Sequence, residues 1–236
     1  MRFTIISSLL ALALVSSSAP SVVQADPSGA STSPVDLTLF VMSRCPDALA
    51  CEDTFSDVLE TKNLPAVNFS LSYFGKVINT SGKFSVSCKH GTLECEGNKQ
   101  QLCFRKFFPD HKTWFSFVVK MNSQPSRIGD KAYAREVGEK IVGKSALLEQ
   151  VEECAGGQEG LDLLIASVKN TESQGAQASC TVFINNKKRC VIDGGVWREC
   201  PGGSTVPDFV RSIEEAAAPH EQTKSRRFRL NWDRDY

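Results

Sequence analysis

The sequence predicts an α/β fold interrupted by an inserted, disulfide-rich helical subdomain. Three observations carry the prediction: a β-α-β order from Val35 to Val77, a helical block inside the chain rather than at an end, and a β-hairpin followed by a last helix. The chain has 236 residues, of which 41% are hydrophobic, enough for one domain with a real core. Lys+Arg and Asp+Glu both number 27, so no charge excess points to nucleic acid as a partner.

The elements follow in order. Arg2, the apolar run Ile5 to Val15 and the small residues of Val23-Gln24-Ala25 read as a signal peptide over 1–25; the run is too short to span a bilayer. Residues 26–34 (DPSGASTSP) read as a flexible leader. Val35 to Ser43 is β-branched and apolar, a strand. Glu52 to Lys62 carries Phe55, Val58 and Leu59 at helical spacing, and Ala66 to Val77 alternates as a second strand. Two parallel strands need a crossover of this kind. Helices are expected around Phe104 to Phe108 and Trp114 to Met121, then over Ala132 to Val142, Ser145 to Cys154 and Gly160 to Lys169, giving an insertion of about 88–170. Cys180 to Ile184, a turn at Asn185-Asn186 and Lys188 to Ile192 form a hairpin signal. Pro207 to Ala218 is a final helix that closes a domain of 35–218. The polar residues 219–236 read as a disordered tail. No later segment is apolar enough for a stable membrane anchor.

All nine cysteines follow residue 25. Behind a secretory signal the default is a disulfide framework, and an odd count leaves one thiol over. Cys190 and Cys200 close a short loop and are expected to pair. Cys88, Cys95, Cys103 and Cys154 make two more structural bonds whose connectivity stays open. Asn68-Phe69-Ser70 and Asn79-Thr80-Ser81 are glycosylation sequons, in keeping with secretion. Cys88, His90, Cys95 and Cys103 are also a chemically legitimate zinc set, but in a secreted chain disulfides rank above it, and no metal or other cofactor is called for.

Residues 88 to 103 read CKHGTLECEGNKQQLC. Cys88, His90, Gly91, Glu94, Cys95, Asn98 and Cys103 stand at the spacing Cys-Gln-His-Gly-x-x-Glu-Cys-x-x-Asn-x-x-x-x-Cys, with Lys89 in place of Gln. This resembles the signature of the gamma-interferon-inducible lysosomal thiol reductase family. The Glu153-Cys154-Ala155 step and Gly160 resemble a further family segment, and the likeness runs from about Val35 to Cys200. The resemblance implies a thioredoxin-like fold. It also implies a glycosylated thiol-disulfide oxidoreductase that reduces protein disulfides at acidic pH, in the secretory pathway, an extracellular space or a lysosome- or vacuole-like compartment. Its partners would be disulfide-containing protein substrates.

Chemistry centres on VMSRCPDALACE, residues 41 to 52. Cys45 stands where a strand gives way to a helix, where unpaired N–H groups and the helix dipole favour a thiolate, the attacking species. Cys45 is therefore the expected nucleophile. The family's resolving cysteine lies three residues on, and here that position is Ala48; the next thiol is Cys51. A regular helix from Cys45 would put the two Cα atoms about 10 Å apart, beyond the roughly 7 Å a disulfide tolerates. A Cys45–Cys51 redox pair, the preferred reading, thus requires a helix that starts late, and leaves Cys180 as the free thiol. Cys180 precedes a strand where thioredoxin-like proteins usually carry a cis-proline, so a Cys45–Cys180 pair is the alternative. A redox-inactive, thioredoxin-like binding module is the competing function class.

Overall fold

The computed structural model describes residues 33–218. The signal-peptide reading of 1–25, all but two residues of the leader, and the tail 219–236 lie outside the described residues.

The central sheet has five strands. β1 (Val35–Val41) runs parallel to β2 (Val67–Tyr73) on one side and antiparallel to β5 (Thr181–Ile184) on the other. β6 (Lys187–Asp193) and β7 (Val196–Arg198) continue antiparallel, giving the order β2-β1-β5-β6-β7. The β5–β6 turn uses both asparagines of the expected hairpin with positive φ, Asn185 at 47° and Asn186 at 60°, the backbone that matches strand twist in a two-residue loop. The crossover from β1 to β2 is α1 (Pro46–Leu59).

The second expected strand divides. After Tyr73 the chain breaks at Phe74-Gly75 and enters a separate two-stranded hairpin, β3 (Lys76–Thr80) and β4 (Lys83–Ser87). Gly75 permits the break because an added Cβ there would meet Val86 Cγ1 at 2.7 Å. Ser81 and Gly82 close the hairpin with positive φ. Most of its side chains are exposed, so it has no buried face to announce it in the sequence.

The inserted helices are α2 (Thr92–Phe107), α3 (His111–Met121), α4 (Lys131–Val142), α5 (Leu147–Gly156) and α6 (Gln158–Ser173). Asp110 and Asp130 cap α3 and α4 by accepting from the Thr113 and Tyr133 amides. The closing helix α7 (Val206–Ala217) begins with a capping box between Thr205 and Asp208. Side-chain alternation gives the sheet two different faces. Phe69 of β2 meets Trp114 and Phe115 of α3, whereas Ser72, on the opposite face, bonds Ser167 and Thr171 of α6. α1 packs against α7 through Phe55 and Phe209.

Helix α1 begins earlier than expected. It starts at Pro46, with Cys45 as its N-cap residue, and not near Glu52. Glu52 is consequently mid-helix and fully buried. Asn122, the C-cap of α3, donates to its Oε2 at 2.6 Å, while Oε1 has no partner. Buried Tyr73 lies close enough to feel the Glu52 charge, and Arg105 in turn acts on Tyr73. Burial pushes the Glu52 carboxyl up to about 8, against a smaller opposing effect of the Asn122 bond. Between the ordinary carboxylate range and that value, the unfolded chain ionises Glu52 and the folded chain keeps it protonated, so stability falls as pH rises through this window. The expected outcome is a thermal midpoint that drops from pH 5 to pH 8 in the wild type and drops markedly less in Glu52→Gln, measured by circular dichroism; parallel slopes would refute the assignment.

Candidate functional site

The site forms where β1 ends and α1 begins. Cys45 adopts extended backbone (φ −82°, ψ 124°), its carbonyl accepts the Leu49 amide, and Pro46 occupies the first helical position, where a missing N–H costs nothing. The Cys45 side chain makes no bond to the helix amides. Its Sγ lies 3.7 Å from the carbonyl oxygen of Ser179, to which the S–H donates. Asp47, in the first turn, accepts from the Gly194 and Gly195 amides at 2.9 and 2.7 Å, tying the start of α1 to the β6–β7 turn.

Two neighbours hold the turn before Cys45. The Ser179 hydroxyl accepts the Met42 amide at 3.0 Å. From the other side, α2 grips Ser43: its amide donates to Asn98 Oδ1 at 3.1 Å and its hydroxyl to the Glu94 carbonyl at 3.2 Å. Gly97 lets this helix come close, since an added Cβ would meet Ser43 Oγ at 2.7 Å. Asn98 Nδ2 also points to Cys88 Sγ, 3.9 Å away. His90 Nδ1 bonds the buried carboxylate of Glu94, so His90 holds its loop through a hydrogen bond.

The cysteines pair as Cys51–Cys180, Cys88–Cys95, Cys103–Cys154 and Cys190–Cys200. Cys45 is the thiol left over. This corrects both pairings considered for Cys45. Cys51 is not its partner, because a helix starting at Pro46 carries Cys51 away from it, and Cys180 is not the free thiol. Cys51 and Cys180 are joined across α1 and the start of β5, both fully buried. Cys180 does follow the backbone that touches Cys45, and the Ser179–Cys180 peptide is cis. Ala48, at the third position after Cys45, is fully buried and supplies no thiol. No cluster of three or more metal-ligating side chains occurs among the described residues.

Cys45 opens onto a groove of ≈ 590 Å³, whose walls include Met42, Phe74, Lys76, Cys88, Lys89 and Ser179. Asp47 and Asp193 line it too, so apolar, cationic and anionic side chains share the surface that a substrate would meet.

Residues 36–136 match the model of the gamma interferon inducible lysosomal thiol reductase (GILT) family. The chain carries a GILT-family domain. Its activity class is accordingly thiol-disulfide oxidoreductase. Among solved structures it is similar to alpha-DsbA2, a thiol-disulfide exchange protein of Wolbachia pipientis, with 11% identity and a TM-score of 0.54 over 78% of this chain and 83% of that one. It is also similar to MdbA, a thiol-disulfide oxidoreductase of Corynebacterium diphtheriae (14%, 0.52, over 79% and 86%), and to DsbA of Chlamydia trachomatis (16%, 0.51, over 77% and 84%). At these identities the likeness establishes the fold, a thioredoxin-like sheet with an inserted helical subdomain.

Several residues of the site were not singled out in the sequence. Ser43 and Ser179 carry no local signal, since each acts through a partner more than fifty positions away. The burial of Glu52 did have a signal: Ala48, Glu52 and Phe55 recur at helical spacing once α1 is extended back to Pro46. Asn98 belongs to the quoted signature, but its bond to Ser43 becomes visible only in three dimensions. Asn98→Ala removes the acceptor for a buried amide and is expected to cost about 1–3 kcal/mol. A urea unfolding curve with unchanged slope and a lower midpoint is the check; an unmoved midpoint counts against the bond.

Proposed function

We propose that this GILT-family domain reduces protein disulfides in an oxidising, secretory-type compartment, with Cys45 as nucleophile. The observation that carries the reading is the placement of the one unbonded thiol at the N-cap of α1, on the wall of a groove. The Cys45 thiolate attacks one sulfur of a substrate disulfide, a Cys45–substrate disulfide forms, and the other substrate sulfur leaves as a thiolate. A second thiol then attacks Cys45 Sγ, and the remaining substrate sulfur leaves as a thiolate. Resolution by Cys51, the sequence expectation, finds no support while Cys51 is bonded to Cys180.

Four disulfides in 186 described residues fit an oxidising compartment. Among the described residues no helix is long and apolar enough to cross a membrane. We extend the proposal to glycosylation at Asn68 and Asn79, both exposed, on β2 and β3. Asn68 donates its Nδ2 to Asp36 at 2.8 Å, so a sugar there leaves one N–H for this bond, whereas Asn79 accepts the Gly82 amide through Oδ1 and keeps its Nδ2 free for the sugar.

Ala48 and the engaged Cys51 favour a second reading, a binding module without turnover. Insulin reduction with cysteine as electron donor, at mildly acidic and neutral pH, separates the two. The expected result is wild-type activity that falls in Cys45→Ser to the background of the donor alone. Wild-type chain at background under both conditions establishes the binding module; an active Cys45→Ser moves the nucleophile elsewhere.

A further inference from the structure

We propose that Cys88–Cys95 is a second, redox-active disulfide, the internal partner that resolves the Cys45 mixed disulfide; this rests on Cys45 being the nucleophile. Of the eight bonded sulfurs, only Cys88 belongs to a residue on the wall of the Cys45 groove. Cys51 and Cys180 are fully buried, Cys103–Cys154 joins α2 to α5, and Cys190–Cys200 lies beyond β5 at the far side of the sheet.

The link between the two sulfurs is direct. The single side-chain amide of Asn98 accepts from the Ser43 amide at one end and reaches Cys88 Sγ at the other. Cys88 is thereby held one amide group away from the turn that carries Cys45. The opposite side of this disulfide faces a separate cleft of ≈ 370 Å³ lined by both Cys88 and Cys95, so a small thiol has a route to it that avoids bound substrate. The bond also closes the shortest loop of the four, a separation of 7 against 10, 51 and 129, so opening it frees the least chain. Cys88 is half-buried while Cys95 is buried, so exchange starts at the Cys88 sulfur, the one that both clefts reach. Cys95 lies at the end of the first turn of α2, with its Sγ 3.4 Å from the Val86 carbonyl.

The chemistry balances as follows. Two equivalents of a small-molecule thiol reduce Cys88–Cys95 and leave as their own disulfide. Cys45 thiolate attacks the substrate disulfide and the first substrate thiolate departs. Cys88 thiolate attacks Cys45 Sγ, expelling the second substrate thiolate and forming Cys45–Cys88. Cys95 thiolate attacks Cys88 Sγ, re-forming Cys88–Cys95 and returning Cys45 as thiolate. The net change is one substrate disulfide reduced and two small-molecule thiols oxidised to their disulfide.

The test uses Cys95→Ser in the full chain, treated with one equivalent of 5,5′-dithiobis(2-nitrobenzoate). The expected result is release of two equivalents of thionitrobenzoate and a Cys45–Cys88 peptide on non-reducing mass mapping. A thionitrobenzoate adduct that persists on Cys45, or a Cys45–Cys180 peptide, overturns the relay while leaving Cys45 as nucleophile. An adduct elsewhere, formed as fast in Cys45→Ser, overturns the underlying reading instead. Should Cys95→Ser not fold, differential alkylation of the wild type decides. Limiting dithiothreitol is expected to open Cys88–Cys95 before the other three bonds, and insulin to close it again only when Cys45 is present. Opening of another disulfide first, or reclosure in Cys45→Ser at the wild-type rate, refutes the proposal.

Discussion

The amide of Ser43 is the constraint on which the site depends. It lies between the last residue of β1 and the first of α1, where neither strand nor helix can pair it, and it is buried. A buried amide without an acceptor is costly, and Asn98 of α2 supplies the acceptor. That one bond obliges the inserted subdomain to sit against the end of the sheet. Gly97, the residue before it, is small enough to allow the approach, and the Glu94 carbonyl one turn earlier takes the Ser43 hydroxyl. The position of Cys45 follows from the insertion as much as from the sheet.

Several features of the signature acquire a shared purpose in this light. Gly91 adopts φ +84° at the N-cap of α2, which lets the chain turn sharply from Cys88 into the helix. His90 and Glu94 bond across the first turn. Cys103, further along the same helix, is fastened to Cys154 of α5. These contacts fix α2 at both ends, and Asn98 works from the middle of a helix that has little freedom to shift. Disulfides contribute here by limiting the unfolded ensemble as well as by holding the folded one.

The thiol chemistry is distributed across the fold. In α1 the third position after Cys45 holds a buried alanine, and the cysteine beyond it is committed to the core with Cys180. The groove that Cys45 faces is walled on the far side by the hairpin-to-signature segment, including Cys88 and Lys89. Under the proposed function, Cys45 acts from the thioredoxin-like layer and Cys88 of the insertion is its candidate exchange partner. Asn98 is the physical connection between the two.

By itself the sequence determined most of the element order, the family resemblance and the address of the candidate nucleophile. Hydrophobic period separates strands from helices, and the cysteine and glycine spacings of residues 88 to 103 are local chemistry that a linear reading captures. The Cys190–Cys200 pair was legible as a short loop, but tertiary structure decided which of the other sulfurs meet. A helix start at Pro46 instead of Glu52 rotates Cys51 into the core and leaves Cys45 unpaired, and residues before a helix specify that start only weakly. The β3–β4 hairpin was illegible because it buries no regular face. The roles of Ser43, Asn98 and Ser179 were illegible because each is half of a hydrogen bond whose other half lies far along the chain. Pairing between distant groups is set by how layers stack, and no local pattern in a single sequence records it.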